Sequence, residues 1–299
     1  MSESGGGRPL SGKPILVLGA TSLVGRYLLP RLVAAGRTVE AVSRRPPAVA
    51  DAHARWLQLD IDREGDRLPA AATAVHLAPL WLAPPLVFGM AGRGLRRLIA
   101  FGSTSRRTKA DSADAREREL AARLARAEDD LRLACDRSGV AWTLFRPTMI
   151  YGGALDKNLT AIARFARRLG FVAIAGRGGG LRHPVHADDL AGACLQALAS
   201  PATHGRVYEV GGGTVLSYRD MVAEVCRAAG GARLVSVPAP LLRFAFRAAA
   251  VVPRYRGLSA SIVDRMDQDL VANDEAARRD LGYRPRAFAY PDGGPVPSA

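Results

Sequence analysis

The most constraining feature of this sequence lies near its start. A short apolar run, Pro14 to Leu18, leads directly into Gly19-Ala20-Thr21-Ser22-Leu23-Val24-Gly25, and an apolar-periodic stretch then runs from Leu23 to Ala35 and stops at Gly36. This is strand, tight turn, helix and helix stop. Gly19 permits the sharp turn, and Gly25 lets the helix pack close to the strand behind it. The opening of such a helix presents backbone N–H groups and the positive end of its dipole, which favours a bound diphosphate. Gly19, Thr21, Ser22, Leu23, Val24 and Gly25 are therefore candidate anion-binding residues.

The alternation continues downstream. Thr38 to Ser43, the shorter Arg55 to Leu59, Ala74 to Ala78, Leu98 to Gly102 and Val140 to Phe145 read as strands, and a long helical pattern covers Ala113 to Arg137 before Gly139. The segment Pro79 to Arg97 contains Pro84-Pro85 and leaves room only for a clipped helix. Strands alternating with helices imply parallel neighbours, because a parallel pair needs a crossover connection. The expected fold class is α/β, a doubly wound parallel Rossmann sheet with helices on both faces. After Pro147 the pattern changes to a helix over Leu159 to Leu169 and a glycine cluster at Gly176 to Gly180. His183 to Asp189 then opens a helix reaching Ala199, with Asp188 and Asp189 as its expected caps. A strand over Arg206 to Val210 and a helix from Ser217 to Ala229, capped by Ser217, follow.

The end of the second strand bears on cofactor choice. A site for NAD places an acidic residue about 20 positions beyond the glycines to hold the ribose 2′-hydroxyl, whereas a 2′-phosphate calls for arginine. The sequence here reads Ser43-Arg44-Arg45, and Glu40 comes too early in the strand to reach the ribose. Arginines grip phosphate through paired charge-assisted bonds, so NADP(H) is expected in preference to NAD(H).

Composition narrows the class. The chain has 299 residues, 48% hydrophobic and 23% charged, enough to bury a core without disulfide or metal staples. Cys135, Cys194 and Cys226 sit far apart in apolar helical surroundings, so they read as small buried hydrophobes and no metal site is expected. Met1 to Gly12 is rich in Ser and Gly and holds no apolar run of signal-peptide type, which points to a cytoplasmic protein. No stretch suits a membrane span. Leu241 to Val252 is too short and is interrupted by Arg243 and Arg247; it reads as a helix whose apolar stripe packs on its own domain, the alternative being a helix lying on a membrane surface. The formal charge of +14 invites nucleic acid. Lysine occurs only at Lys13, Lys109 and Lys157, however, and the arginines are scattered without aromatic interleaving or a basic tail, so no nucleic-acid partner is expected.

A family resemblance rests on several segments in order. They are Gly19 to Gly25, Asp60-Ile61, His76-Leu77-Ala78, Gly102-Ser103-Thr104-Ser105, Arg146-Pro147-Thr148-Met149-Ile150-Tyr151-Gly152 and Val185-His186-Ala187-Asp188-Asp189-Leu190-Ala191. Together they resemble the extended short-chain dehydrogenase/reductases, the NAD-dependent epimerase/dehydratase superfamily. The resemblance implies that Asp60 and Ile61 lie by the adenine, and that Leu77, Ala78, Pro79 and Ser103 lie along the cofactor. It puts Pro147, Thr148 and Ile150 beside the nicotinamide. It also implies a small C-terminal α/β substrate lobe and a nucleotide sugar or related carbonyl/hydroxyl compound as substrate. The arginine-rich lobe, with Arg164, Arg167, Arg168, Arg177 and Arg182, would suit a diphosphate. The division expected is a disordered N-terminus (1–12), a Rossmann domain (13–152), a C-terminal portion, mostly lobe with segments returning to the Rossmann core (153–290), and a flexible tail (291–299). The helix over Ala113 to Arg137 is a candidate homodimer face.

One departure is severe. The family's chemistry usually rests on Tyr-x-x-x-Lys, whose spacing puts both side chains on one helix face so that the ammonium lowers the phenol pKa. Here no tyrosine occurs between Tyr27 and Tyr151, and Leu120 and Leu124 fall at the Tyr and Lys positions. Ser22 also stands where the extended family commonly has glycine. Ser103 and Thr104 remain as candidates to orient a substrate oxygen, with Lys109 and Tyr151 as candidate substitutes for the missing pair. His186 reads as a hydrogen-bonded structural residue. Two functions follow: an atypical NADP(H)-dependent oxidoreductase or epimerase/dehydratase-like enzyme, or a catalytically inactive NADP(H)-binding regulatory or assembly protein.

Overall fold

The computed structural model describes residues 13–47, 54–249 and 261–290. The expectations for residues 1–12 and 291–299, and for the end of the apolar stretch at Val252, lie outside the described residues. The chain begins with β1 (Ile15–Leu18), α1 (Leu23–Ala34), β2 (Val39–Ser43), β3 (Ala54–Gln58) and β4 (Thr73–His76). It continues through the short α2 (Ala83–Ala91), β5 (Arg97–Phe101), the single-turn α3 (Ser105–Thr108), the long α4 (Ala115–Ser138) and β6 (Ala141–Pro147). Next come β7 (Ile150–Tyr151), α5 (Leu159–Leu169), β8 (Phe171–Ala175), β9 (Leu181–Arg182), β10 (Val185–His186), α6 (Ala187–Ala199) and β11 (Arg206–Val210). The last described elements are β12 (Leu216–Ser217), α7 (Tyr218–Ala228), β13 (Arg233–Val237), α8 (Ala239–Ala249), α9 (Ser261–Arg265) and α10 (Glu275–Leu281).

Seven strands form one sheet in the order β11-β6-β5-β4-β1-β2-β3, every pairing parallel. Helices cover both faces, which is why β1 and β2 are buried along their whole length instead of alternating. One core packs α1 and α6 on the sheet through Leu28, Leu32, Leu190 and Cys194. The other packs α2 and α4 through Val87, Met90, Ala127 and Leu131. From β1 the chain winds outward through β2 and β3, then crosses to β4 on the other side of β1. That reversal opens a crevice at the carboxyl ends of β1 and β4, where doubly wound sheets hold ligands.

The C-terminal portion contributes to two bodies. β11, α6 and α10 complete the Rossmann body, while a separate lobe is built on the parallel β8–β13 ribbon with α5 and α7 against it. The buried Arg97 guanidinium stitches the returning segments to the sheet, donating to Thr143 Oγ1 (2.6 Å), Thr203 Oγ1 (2.9 Å) and the Ala197 carbonyl (3.0 Å). All three cysteines are buried and unbridged.

One expectation is corrected. The cap of α6 is His186, whose Nδ1 accepts the Asp188 N–H at 3.1 Å, not Asp188 or Asp189. Both carboxylates lie inside the first turn and serve arginines: Asp188 pairs with Arg31 and Arg286, and Asp189 with Arg286 at 2.9 Å. Those two cations hold Asp188 below the ordinary carboxylate range against the opposing effect of burial.

Candidate functional site

The turn after β1 is as tight as its glycines require. Gly19 adopts φ +76°, and a Cβ there would stand 2.7 Å from the Ala78 nitrogen, so the loop after β1 touches the loop after β4. A Cβ on Gly25 would stand 2.2 Å from the Ala20 carbonyl oxygen. Ser22 caps α1, its hydroxyl accepting the Gly25 N–H at 3.1 Å. Among the described residues no protein acceptor meets the Leu23 and Val24 N–H groups. The opening of α1 is thus an N–H cradle of the kind that takes a diphosphate, and the crevice fits an extended dinucleotide.

The end of β2 adjoins this cradle. Thr21 Oγ1 and Ser43 Oγ lie 2.9 Å apart, and Ser43 Oγ accepts the Arg45 N–H at 3.2 Å, fixing the turn from which Arg44 and Arg45 emerge into solvent. Glu40 is buried in the strand and bound to Arg55 at 3.0 Å. Asp60 and Ile61 follow β3 at the same sheet edge, Ile61 buried and Asp60 accepting the Asp62 N–H at 3.2 Å. Leu77 and Ala78 follow β4, and the carbonyl of Pro79 receives His76 Nε2 at 3.1 Å. Burial pushes that histidine down to about 4, a shift the Pro79 bond offsets only in part, so the ring is neutral. Its Nδ1 is buried without a partner.

The loops after β5, β6 and β11 are laced side by side. Pro147 O receives Thr104 twice, from N–H at 3.1 Å and from Oγ1 at 3.2 Å, and Thr148 N–H donates to Val210 O at 3.1 Å. Thr104 is therefore turned inward, while Ser103 is half-buried, its Oγ accepting the Ser105 N–H at 3.1 Å. Thr148 Oγ1 donates to the His183 carbonyl, and Ile150 pairs with Val185. Ser103, Pro147, Thr148 and Ile150 thus come together at one edge. Below them the buried Glu128 carboxylate binds Arg106 and Arg146 and anchors α3 to α4.

The candidates for the missing pair are engaged. Leu124 is 6% exposed, a packed core residue, and Leu120 is half-buried. Lys109 Nζ lies 3.2 Å from Glu117 Oε1, which also takes Arg265 from the lobe, while Ser112 donates to Oε2 at 2.8 Å. Burial would raise the Glu117 pKa, but the Ser112 bond and the charges of Arg265 and Lys109 outweigh it and leave the carboxyl below its usual range. Tyr151 is 1% exposed in the lobe core, edge-on to His186 and Phe288 at 5.1 Å each.

The set of arginines offered for a diphosphate needs correcting at Arg182. Its guanidinium is buried, donates to the carbonyls of Leu181 (2.8 Å), Gln268 (2.7 Å) and Arg265 (2.5 Å), and stacks on Tyr218, so three of its five N–H donors are used within the lobe and it is turned away from solvent. Arg164, Arg167 and Arg168 lie on the exposed face of α5 and Arg177 in the turn after β8.

Sequence reasoning missed Glu117 and His183. Glu117 reads as one more solvated charge in an acidic first turn; its partner Arg265 is too remote in sequence to suggest otherwise. His183 is buried with Nε2 2.7 Å from Gly212 O and Nδ1 without a partner, and a Cβ on Gly211 would sit 2.1 Å from that nitrogen.

Residues 15–78, from β1 to the loop after β4, match the family model described as NAD dependent epimerase/dehydratase. The match takes in the glycine turn and the first four strands of the sheet. MoeE5 in complex with UDP-glucose and NAD is similar at TM-score 0.70 and 19% identity, covering 92% of this chain and 94% of that one. UDP-glucose 4-epimerase from Thermotoga maritima, solved with UDP-glucose, is similar at TM-score 0.68 and 18% identity, covering 92% and 94%. UDP-glucuronic acid 4-epimerase from Bacillus cereus, with UDP-glucuronic acid and NAD, gives TM-score 0.70 and 14% identity, covering 92% and 95%. At such identities the likeness is one of fold alone. No curated protein matches the sequence.

Proposed function

We propose that this protein binds NADP(H) and acts as an oxidoreductase or epimerase/dehydratase-like enzyme on a nucleotide sugar or related carbonyl/hydroxyl compound, without the Tyr-x-x-x-Lys pair. The observation that carries the reading is the N–H cradle at Gly19 to Gly25 with Ser43-Arg44-Arg45 beside it. Glu40, the carboxylate of β2, is committed to Arg55 and so does not compete for a ribose hydroxyl. In this reading the Leu23 and Val24 N–H groups hold the diphosphate, and Arg44 and Arg45 hold the 2′-phosphate. Asp60, Ile61, Leu77, Ala78 and Pro79 flank the adenosine half, with Pro147, Thr148 and Ile150 beside the ring. The bound nicotinamide would supply a hydride acceptor or donor at its C4. Ser103, half-buried with its hydroxyl proton free to turn, orients the substrate oxygen; Thr104 serves the loop instead. The solved relatives carrying UDP-sugars support that substrate class.

A second reading, a catalytically inactive NADP(H)-binding regulatory or assembly protein, is favoured by the packing of Leu124 and by the burial of Tyr151. Purified protein incubated with NADPH and 4-keto nucleotide sugars, and with NADP+ and 4-hydroxy ones, separates the two. NADPH oxidation by a 4-keto member, NADP+ reduction by a 4-hydroxy one, or an epimerised or dehydrated sugar product supports the enzyme; tight NADPH binding without any of these on the whole panel supports the holder.

A further inference from the structure

The helix α8 is apolar on both sides. Leu242 is buried in the lobe core and Phe246, one turn on, packs toward it, as a helix covering its own domain requires. The opposite stripe is also apolar: Leu241 is 59% and Phe244 70% exposed, with Ala248 completing that face and Arg247 beside it. A helix resting on one body in water carries charges on its outer side. The ribbon beneath behaves likewise. Val172 and Ile174 of β8 are buried against α5 and α7, so strand alternation sends Phe171, and Val235 on the paired strand, to the other face, where each is 42% exposed. Phe171 pairs in register with Arg233, which is exposed.

The charge around this patch has one sign. The elements on this side, β8, β13 and α8, contain Arg233, Arg243 and Arg247 and no carboxylate. Asp264 of α9 pairs with Arg243 at 2.7 Å, so the net positive charge of this side rests on Arg233 and Arg247, both exposed. Projecting Phe and Leu flanked by exposed arginines is the chemistry of an interfacial helix, whose apolar side chains enter the acyl boundary while guanidinium groups meet anionic headgroups. We infer that this face of the lobe, led by Leu241 and Phe244, docks the protein on an anionic lipid bilayer. The docking is peripheral, since no described helix is long and apolar enough to cross a membrane.

The test is co-sedimentation of the full chain with vesicles of phosphatidylcholine alone and of phosphatidylcholine mixed with phosphatidylglycerol. The protein should pellet with the mixed vesicles and stay in solution with the neutral ones, and added salt should weaken the binding. Leu241→Ser/Phe244→Ser should lower the partition coefficient by on the order of tenfold or more, with the thermal midpoint unchanged because both side chains already face water. Phe244→Trp should gain a blue-shifted emission quenched by brominated lipid. Failure to pellet with the anionic vesicles at low salt overturns the proposal, as does equal pelleting of the double serine variant. A change in oligomeric state on removing Phe244 would assign the face to a second copy and likewise overturn it.

Discussion

The substitution Gly25→Ala probes the cradle most directly. The added methyl would lie 2.2 Å from the Ala20 carbonyl oxygen, against an ordinary contact near 3.4 Å, so one of the two must retreat by roughly 1 Å. Neither can move alone. Ala20 donates its N–H to Val42 O at 3.1 Å, and Gly25 is held in the first turn of α1 by Ser22. Forcing such a shift in packed surroundings costs about 1 to 3 kcal/mol. The displaced atoms frame the N–H groups proposed to face the diphosphate. Even the lower half of that cost, about 1.4 kcal/mol, weakens dinucleotide binding about tenfold. Titration calorimetry with NADPH on wild type and variant measures the loss, and thermal unfolding without cofactor measures the strain separately. Gly89→Ala in α2 is the control: its nearest neighbour is the tip of Arg93 at 3.8 Å, so it should leave affinity unchanged and stability equal or slightly higher. Undiminished NADPH affinity in Gly25→Ala, with the variant folded, would refute the placement of the diphosphate at α1.

Arg44→Asp should weaken NADPH far more than NADH in the same calorimetric assay; equal losses would remove the 2′-phosphate from this arginine. Glu128→Leu leaves Arg106 and Arg146 without the carboxylate that is only 3% exposed; because both arginines keep some access to water, the cost should fall near the low end for broken buried pairs, about 3 kcal/mol, read from the urea midpoint. Burial holds His76 at about 4 in the fold against 6.5 unfolded. Its neutral ring therefore contributes fully above 6.5, and that contribution, about 3 kcal/mol, is lost as pH falls from 6.5 toward 4. His76→Asn should flatten the pH dependence of stability across that window, and an unchanged slope would place the titration elsewhere.

The β1 turn and the parallel sheet were legible because their physics is local. Glycine is required where the backbone turns with positive φ, and buried parallel strands read as apolar runs. The short strands after Pro147 were hidden by scale: β7, β9, β10 and β12 have two residues each, too few to show any period. The cap of α6 escaped because an imidazole accepting an N–H leaves no trace in residue type, whereas two adjacent acids suggest one. In α4 the sequence placed Leu120 and Leu124 where the pair is missing, of which Leu124 is buried and Leu120 half-buried, but gave no hint that Arg123 would stack 3.8 Å over Trp81 on its flank. In α8 the period was read correctly; the outward Phe244 was not, since periodicity reports one face and is silent about the other. Among the candidate site residues, sequence order put Ser103 and Thr104 side by side, and only the hydrogen bond to Pro147 separates their roles.

The wiring between the two bodies sets how the cleft can work. The chain leaves the Rossmann body after β7, returns for β10, α6 and β11, departs again through β12, and comes back once more for α10. A fragment ending at Gly152 would thus surrender the side chains of Leu190, Cys194, Tyr208 and Leu281 that seal the α1 face, and would bare β6 as a raw sheet edge. Several crossings act like lashings on a hatch. They allow the lobe a small tilt shared among many joints and deny it a wide swing about any single one.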